Sequence, residues 1–296
     1  MQDSTKAVLL MVLACTIWGL SPLYYAQLVH VPPLEVLSYR TFWSFVFFLG
    51  VLVLQGRTGE LLGAISTPRR TLIILVAAVL VAGNWFGFIW SISNGRAVEA
   101  SLGYYIFPLV AVLLGRVVFK EQLKLAQMVA VMLAVAAVLV LTFGLGTAPW
   151  IAIYLATTFA GYGLIKKQLD LGPVLSVTAE VMLLLPLAVF WIVTNGTAMQ
   201  AEHLVLTHIL LALSGPMTAG PLILFSAATK RLRFATVGLL QYINPTLQFF
   251  CAVLILNGAF TYWHAIAFPL IWVALAVYSI SSLREDRARK KKAIAV

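Results

Sequence analysis

Charge is scarce in this sequence. Asp, Glu, Lys and Arg together make up 10% of its 296 residues, against roughly 25% in soluble globular chains. With 62% of the residues apolar, no water-soluble fold has enough interior to bury them, so a soluble two-domain protein is excluded although the length alone would allow one. Cysteine is scarcer still. Cys15 and Cys251 both stand inside apolar runs, where they act as small hydrophobes and show no spacing of a disulfide framework or metal site. Catalytic signatures are missing as well: there is no Gly-rich phosphate loop, no serine elbow and no His pair at metal spacing. His30, His203, His208 and His264 lie in or beside the connections between apolar runs. An ATP-driven machine in this chain alone is unsupported, and neither a metal nor a cofactor is expected. Segments of alternating hydrophobicity about ten residues long, the mark of a membrane barrel, are also wanting.

What fills the chain instead is a series of apolar runs of about 20 residues, each enough to cross roughly 30 Å of hydrocarbon as a helix. Polar punctuation sets them at 7–29, 34–54, 71–93, 97–119, 125–144, 148–169, 174–194, 205–227, 233–256 and 261–283. In hydrocarbon every backbone N–H and C=O needs an internal partner, so the runs predict helices. The first follows Lys6 and continues for about 23 residues without a small-residue cleavage site, too long for the core of a secretory signal. The expected fold class is therefore an all-α integral membrane protein with ten transmembrane helices.

The net charge of +10 does not point to nucleic acid, because the basic residues form no face interleaved with aromatics. They follow the membrane rule instead. Taking the N-terminus and every second connection as one side gathers every Lys and Arg there except Arg96, in an opposite loop, and Arg40, inside the second span. Both termini are expected in the cytoplasm of a bacterium, with the protein in the inner membrane. A missed or invented span would invert all later loops and mix the charges. The basic tail over 284–296 reads as a topology anchor, a reading that outweighs binding to anionic lipid or to a protein partner.

An internal repeat decides the architecture. Tyr105-Ile106-Phe107-Pro108 matches Tyr242-Ile243-Asn244-Pro245 at an offset of 137, and the same offset lays 131–141 on 268–278. Ala100-Ser101-Leu102-Gly103 resembles Ala235-Thr236-Val237-Gly238, and Trp18-Gly19 resembles Tyr162-Gly163. Residues 1–144 and 145–283 then form two repeats of five helices. An odd number makes the second enter from the opposite face, giving two inverted five-helix repeats with a site at the midplane where they meet.

Arg40 is the most informative residue, since a guanidinium about one and a half turns into a span costs at least about 2.5 kcal/mol unless paired or hydrated. Glu180 stands at a similar depth in the seventh span, the repeat counterpart of the second. Three readings are open: a structural ion pair of Arg40 with Glu180 or Glu99, snorkelling to an interface, or a functional role as contact with a charged solute group or as a proton site on Glu180. Glu99 opens the fourth span, where helix capping competes with a role in transport, and Glu35 opens the second behind Pro32-Pro33, where capping is expected. Pro108 and Pro245 each remove an intrahelical hydrogen bond, and their recurrence suggests paired gating helices. Tyr104, Tyr105, Gln241, Tyr242 and Asn244 stand beside them, and Asn84 with Trp85 follows Gly83 in the third span. These polar groups line a cavity or act as interhelical glue.

Several strings also look familiar: Ile17-Trp18-Gly19, Tyr39-Arg40-Thr41-Phe42-Trp43-Ser44-Phe45, Gly83-Asn84-Trp85 with Phe88-Ile89-Trp90, Glu99-Ala100-Ser101-Leu102-Gly103-Tyr104, and Arg231-Leu232-Arg233 followed by Gln241-Tyr242-Ile243 and Pro245-Thr246-Leu247. Together they resemble the RarD group of the EamA family in the drug/metabolite transporter superfamily, over nearly the whole chain. The resemblance implies a bacterial inner-membrane permease of ten helices in two tandem EamA-type repeats, whose relatives export amino acids, other metabolites or drugs. One departure stands out. The family usually carries Gly-Glu after the fourth and ninth helices, whereas this chain has Lys120-Glu121 and Asn257-Gly258.

The expected function is a secondary transporter of a small metabolite, amino acid or drug-like solute, working by alternating access, with Arg40, Glu180, Asn84, Trp85, Tyr104, Tyr105, Gln241, Tyr242 and Asn244 at the site. Proton coupling belongs to that reading, membrane lipids surround the chain, and it acts as a monomer or homodimer. The competing readings are a membrane-embedded lipid-handling enzyme with Glu99 or Glu180 as base, and an accessory subunit that moves nothing.

Overall fold

The computed structural model describes residues 2–119, 125–146, 149–197, 204–229, 231–232 and 240–294. Lys120, Glu121, Lys124, His203, Lys230, Arg233 and the repeat string over 235–238 lie outside them, as do the basic side chains of the tail after Arg284.

Every regular element among the described residues is a helix. In chain order they are α1 (Gln2–Ala26), α2 (Pro33–Leu54), α3 (Gly59–Ala64), α4 (Pro68–Ser93), α5 (Ala97–Phe119), α6 (Leu125–Leu145), α7 (Trp150–Gln168), α8 (Pro173–Asn195), α9 (Leu204–Thr229), α10 (Ile243–Phe250) and α11 (Tyr262–Ile294), with a π turn, Cys251–Ile255, closing α10. Local chemistry sets the ends. Pro33, Pro68 and Pro173 each stand first in a helix, where a missing N–H costs nothing and φ is already helical. α2 and α4 stop at Gly56 and Gly95, whose φ of 66° and 68° are left-handed. Beyond them Arg57 N–H reaches Leu52 O at 2.9 Å and Arg96 N–H reaches Ser91 O at 2.8 Å, the six-to-one bond that satisfies a helix's last carbonyls.

Among the described residues eight helices are long and apolar enough to cross a membrane: α1, α2, α4, α5, α6, α8, α9 and α11 over Tyr262–Ser281. α7, 19 residues long, and the shorter apolar stretch Ile243–Ile255 fall where the sixth and ninth spans were expected. Two elements differ from expectation. α3 occupies what reads as a loop, because its six residues carry no usable periodicity, and α11 runs on to Ile294, well past 283, as a charged helix.

The packing uses small residues where helices touch, as hydrocarbon on both sides leaves contact area and hydrogen bonds to hold them. Ala130, Ala137 and Leu141 of α6 are sealed with Ala267, Ile271 and Ala274 of α11. Gly215 of α9 lies so close to α2 that an added Cβ would stand 2.5 Å from Trp43 O. Meanwhile Leu54, Phe143 and Val193 are largely bare, an outer surface suited to lipid tails.

Contacts between elements before and after residue 145 come in exchanged pairs. α5 packs on α7 as α10 does on α1, α2 on α9 as α8 on α4, and α4 on α7 as α9 on α1, while α2 meets α8, α5 meets α10 and α6 meets α11. This exchange brings α1, α2, α4, α5, α7, α8 and α9 around the polar residues.

Candidate functional site

Arg40 and Glu180 sit equally far, about two turns, behind the prolines that start α2 and α8. Both are withdrawn from the surface, at 8% and 0% exposure. Their partners differ.

Among the described residues Arg40 makes no ion pair. Its Nε donates to Thr218 Oγ1 on α9 at 3.0 Å and its Nη1 to Tyr25 OH on α1 at 2.8 Å. The guanidinium lies over the Trp85 ring of α4, 4.1 Å from its centroid, with the Tyr25 ring at 5.7 Å. The expected pairing of Arg40 with Glu180 or Glu99 is overturned, because both carboxylates are held elsewhere. Glu180 Oε1 accepts from Lys166 Nζ at 2.6 Å and from Ser176 Oγ at 2.9 Å, and Oε2 accepts from Tyr162 OH at 3.0 Å. Lys166 also donates to Ser176. Glu99, in the first turn of α5, stands 3.7 Å from Arg96, the residue just before that helix begins.

These two centres repeat each other. A first helix hands a partner to the charge on the second: Tyr25 of α1 to Arg40 of α2, and Lys166 of α7 to Glu180 of α8. The second cluster is neutral as a whole, and the first carries an uncompensated positive charge.

Between them Asn84 of α4 is fully satisfied. Its Nδ2 donates to Leu155 O at 2.9 Å and Thr158 Oγ1 at 3.1 Å on α7, and its Oδ1 accepts from Tyr104 OH of α5 at 2.9 Å. Rings then run in contact from one charge to the other, Tyr25–Phe88 at 5.8 Å, Phe88–Tyr104 at 5.7 Å, Tyr104–Phe159 at 6.0 Å and Phe159–Tyr162 at 6.0 Å. The first three meet edge to face and the last is stacked at 25°, both favoured arrangements of aromatic pairs.

The remaining expected residues do not join this group. Tyr105 donates to Thr246 Oγ1 at 2.9 Å and packs on Phe268. Asn244 accepts from Gln248 Nε2 at 3.0 Å, and Tyr242 packs against the α5–α11 core beside them. Gln241 is exposed. Pro108 lies inside the continuous α5, whereas Pro245 is in the first turn of α10 just after the turn at Tyr242, so the two prolines are not equivalent kinks. Glu35 stands in the first turn of α2, where the helix dipole favours a carboxylate. It accepts from Thr197 N at 2.9 Å and Thr197 Oγ1 at 2.8 Å, tying the start of α2 to the end of α8. An apolar hollow of about 390 Å³ between α2 and α9, lined by Trp43, Phe47, Leu213 and Pro216, offers no charged group and is a separate feature.

Sequence reasoning missed Lys166, Tyr162, Ser176, Tyr25 and Thr218. Lys166 counted as a loop charge, although its spacing to Glu180 nearly repeats that of Tyr25 to Arg40, a signal visible once the halves are aligned.

Residues 5–143 match the EamA-like transporter family. Over 293 residues the chain is 39% identical to an uncharacterised transporter of Vibrio cholerae, covering 98% of this chain and 97% of that one. It is 36% identical to the protein RarD of Escherichia coli over 293 residues, covering 98% and 99%. The chain belongs to the RarD group of the EamA family. A protein of known crystal structure, 18% identical, shares the fold at a TM-score of 0.62 over 95% of this chain and 98% of that one. Membership in the RarD group, with eight long apolar helices, makes this a membrane protein with a transporter role.

Proposed function

We propose that the chain is a secondary transporter that carries a small metabolite, amino acid or drug-like solute across the bacterial inner membrane by alternating access, with both termini in the cytoplasm. One observation carries the reading. Arg40 keeps a buried guanidinium in a membrane helix with neutral partners on α1, α4 and α9, an arrangement that costs stability and so calls for a use. The exchanged helix contacts support two inverted halves, 1–144 and 145–283, in which α7 and Ile243–Ile255 complete ten crossing segments, followed by the basic end at 284–296. Arg40, Trp85, Asn84 and Tyr104 form the central site, with Tyr105, Tyr242 and Asn244 at the α5–α10 seam, where Pro108 and Pro245 act in gating.

Glu180 is engaged by three donors, so in this arrangement it serves as a structural anchor, and proton coupling needs Lys166 to leave it. The test is flux into liposomes holding only the purified protein, screened over amino acids, other metabolites and drugs at two pH values. Saturable uptake lost in a folded Arg40→Gln variant is expected. Flux indistinguishable from empty liposomes for every solute, or uptake indifferent to Arg40→Gln, would sink the proposal.

A further inference from the structure

Resting on that reading, we infer that the solute is an organic monoanion whose carboxylate binds the Nη1–Nη2 edge of Arg40, and that the site discriminates against zwitterions and cations of the same shape. A guanidinium has five N–H donors in a rigid fork. Thr218 takes the Nε donor and Tyr25 one on Nη1, and among the described residues Nη2 carries no hydrogen bond. Trp85 covers the face of the guanidinium at 4.1 Å, which fixes its plane, so the donors still to be matched lie along the Nη1–Nη2 edge. That edge is the geometry that receives a carboxylate through two parallel bonds. One turn along the same side of α2, Ser44 holds a fully buried hydroxyl that also has no partner.

Charge balance narrows the class. Lys166 neutralises Glu180, Arg96 stands beside Glu99, and Glu35 is held by Thr197 where α2 begins. Arg40 is left with one positive charge, which a monoanion cancels and a dianionic phosphate ester overshoots. A zwitterion brings an ammonium group that needs its own carboxylate, and the oxygens of Glu180 already accept from Lys166, Ser176 and Tyr162. The rings of Tyr25 and Phe88 beside the fork suit an apolar or aromatic body.

The experiment uses the full chain in lipid nanodiscs and probes that share one ring and differ in charge: benzoate, phenylalanine, benzylammonium and phenyl phosphate. Binding is read by tryptophan fluorescence and thermal shift. Benzoate is expected to bind at least about tenfold more tightly than the other three, and Arg40→Gln to weaken it by at least about tenfold. Arg40→Lys, which keeps the charge and loses the fork, should fall between and serves if the Gln variant does not fold. Phenylalanine or benzylammonium bound as tightly as benzoate, with Arg40 required, overturns the monoanion class and leaves the transporter reading standing. Benzoate binding unchanged in both variants overturns the assignment to Arg40. If no probe binds while another solute shows Arg40-dependent flux, the inference fails alone; if no solute shows flux, both fail.

Discussion

Removing one partner of the Lys166–Glu180 pair should be far more damaging than removing both. Glu180 has 1% and Lys166 21% of its side chain exposed, at 2.6 Å separation. In Glu180→Gln the ammonium keeps Ser176 and the face of Tyr162, 5.4 Å away, but loses its counter-charge. Breaking a buried pair costs about 3–5 kcal/mol. The low end, about 3 kcal/mol, applies here because Lys166 lies near the end of α7 and its stem can carry the ammonium outward. Lys166→Met is the worse change, about 4–5 kcal/mol, since the carboxylate left behind cannot reach water. The double variant Lys166→Met with Glu180→Leu removes both charges and should return to within about 1 kcal/mol of the parent. Equilibrium unfolding in mixed micelles, followed by tryptophan fluorescence, gives all four corners of the cycle. A Glu180→Gln variant within about 0.5 kcal/mol of the parent, or a double variant as unstable as the two singles added, would refute an anchoring pair.

Asn84→Leu deletes bonds to Leu155 O, Thr158 and Tyr104 and should lower stability by about 1–2 kcal/mol in the same assay; a loss below about 0.5 kcal/mol counts against a structural role. Gly215→Ala sets a methyl 2.5 Å from Trp43 O and is expected to cost about 1–3 kcal/mol, while Gly50→Ala and Gly220→Ala, with nothing within 4 Å, are the neutral controls. Thr218→Asp places a carboxylate where Arg40 Nε now meets a hydroxyl, so it should raise thermal stability and abolish benzoate binding; retained binding would show that Arg40 is not the anion's partner. Arg57 holds the Glu60 carboxyl below its usual range by hydrogen bonding. A lowered carboxyl pKa stabilises above its unfolded value and is lost as pH falls through the folded one, but both groups are exposed and screened. Unfolding curves of Arg57→Ala and the parent should therefore coincide from neutral to acid pH.

Span positions were legible in the sequence because their signal is additive: about 20 apolar residues outweigh any local irregularity. Short elements carry no such sum, which is why α3 and the π turn at Cys251–Ile255 were not foreseen. Arg40 was legible as an anomaly by its charge alone. Of its partners Trp85 was among the expected site residues, whereas Tyr25 and Thr218 were not, because they are ordinary membrane-helix residues that join the site only where α1 and α9 bring them to Arg40. Lys166 misled for a physical reason. A lysine at a helix end satisfies the positive-inside rule by its position, whichever way its long stem turns, and here it turns inward to Glu180.

On the proposed two-half reading, charge and neutral bonding are divided in a way that suits motion. The ion pairs Arg57–Glu60, Arg96–Glu99 and Lys166–Glu180 each lie inside one half and would travel with it unbroken. Among the described residues, polar contacts across the seam include a neutral partner in Glu35 with Thr197, His30 with Thr207, Asn84 with Thr158, Tyr105 with Thr246 and Arg40 with Thr218. Hydrogen bonds between membrane helices average only about 0.6 kcal/mol, so a neutral seam can exchange one set for another at little cost. Arg40, like Glu35 at the start of α2, brings a charge to that seam. A solute that completes its fork in one arrangement more fully than in the other acquires the differential affinity without which no ligand can shift a conformational equilibrium.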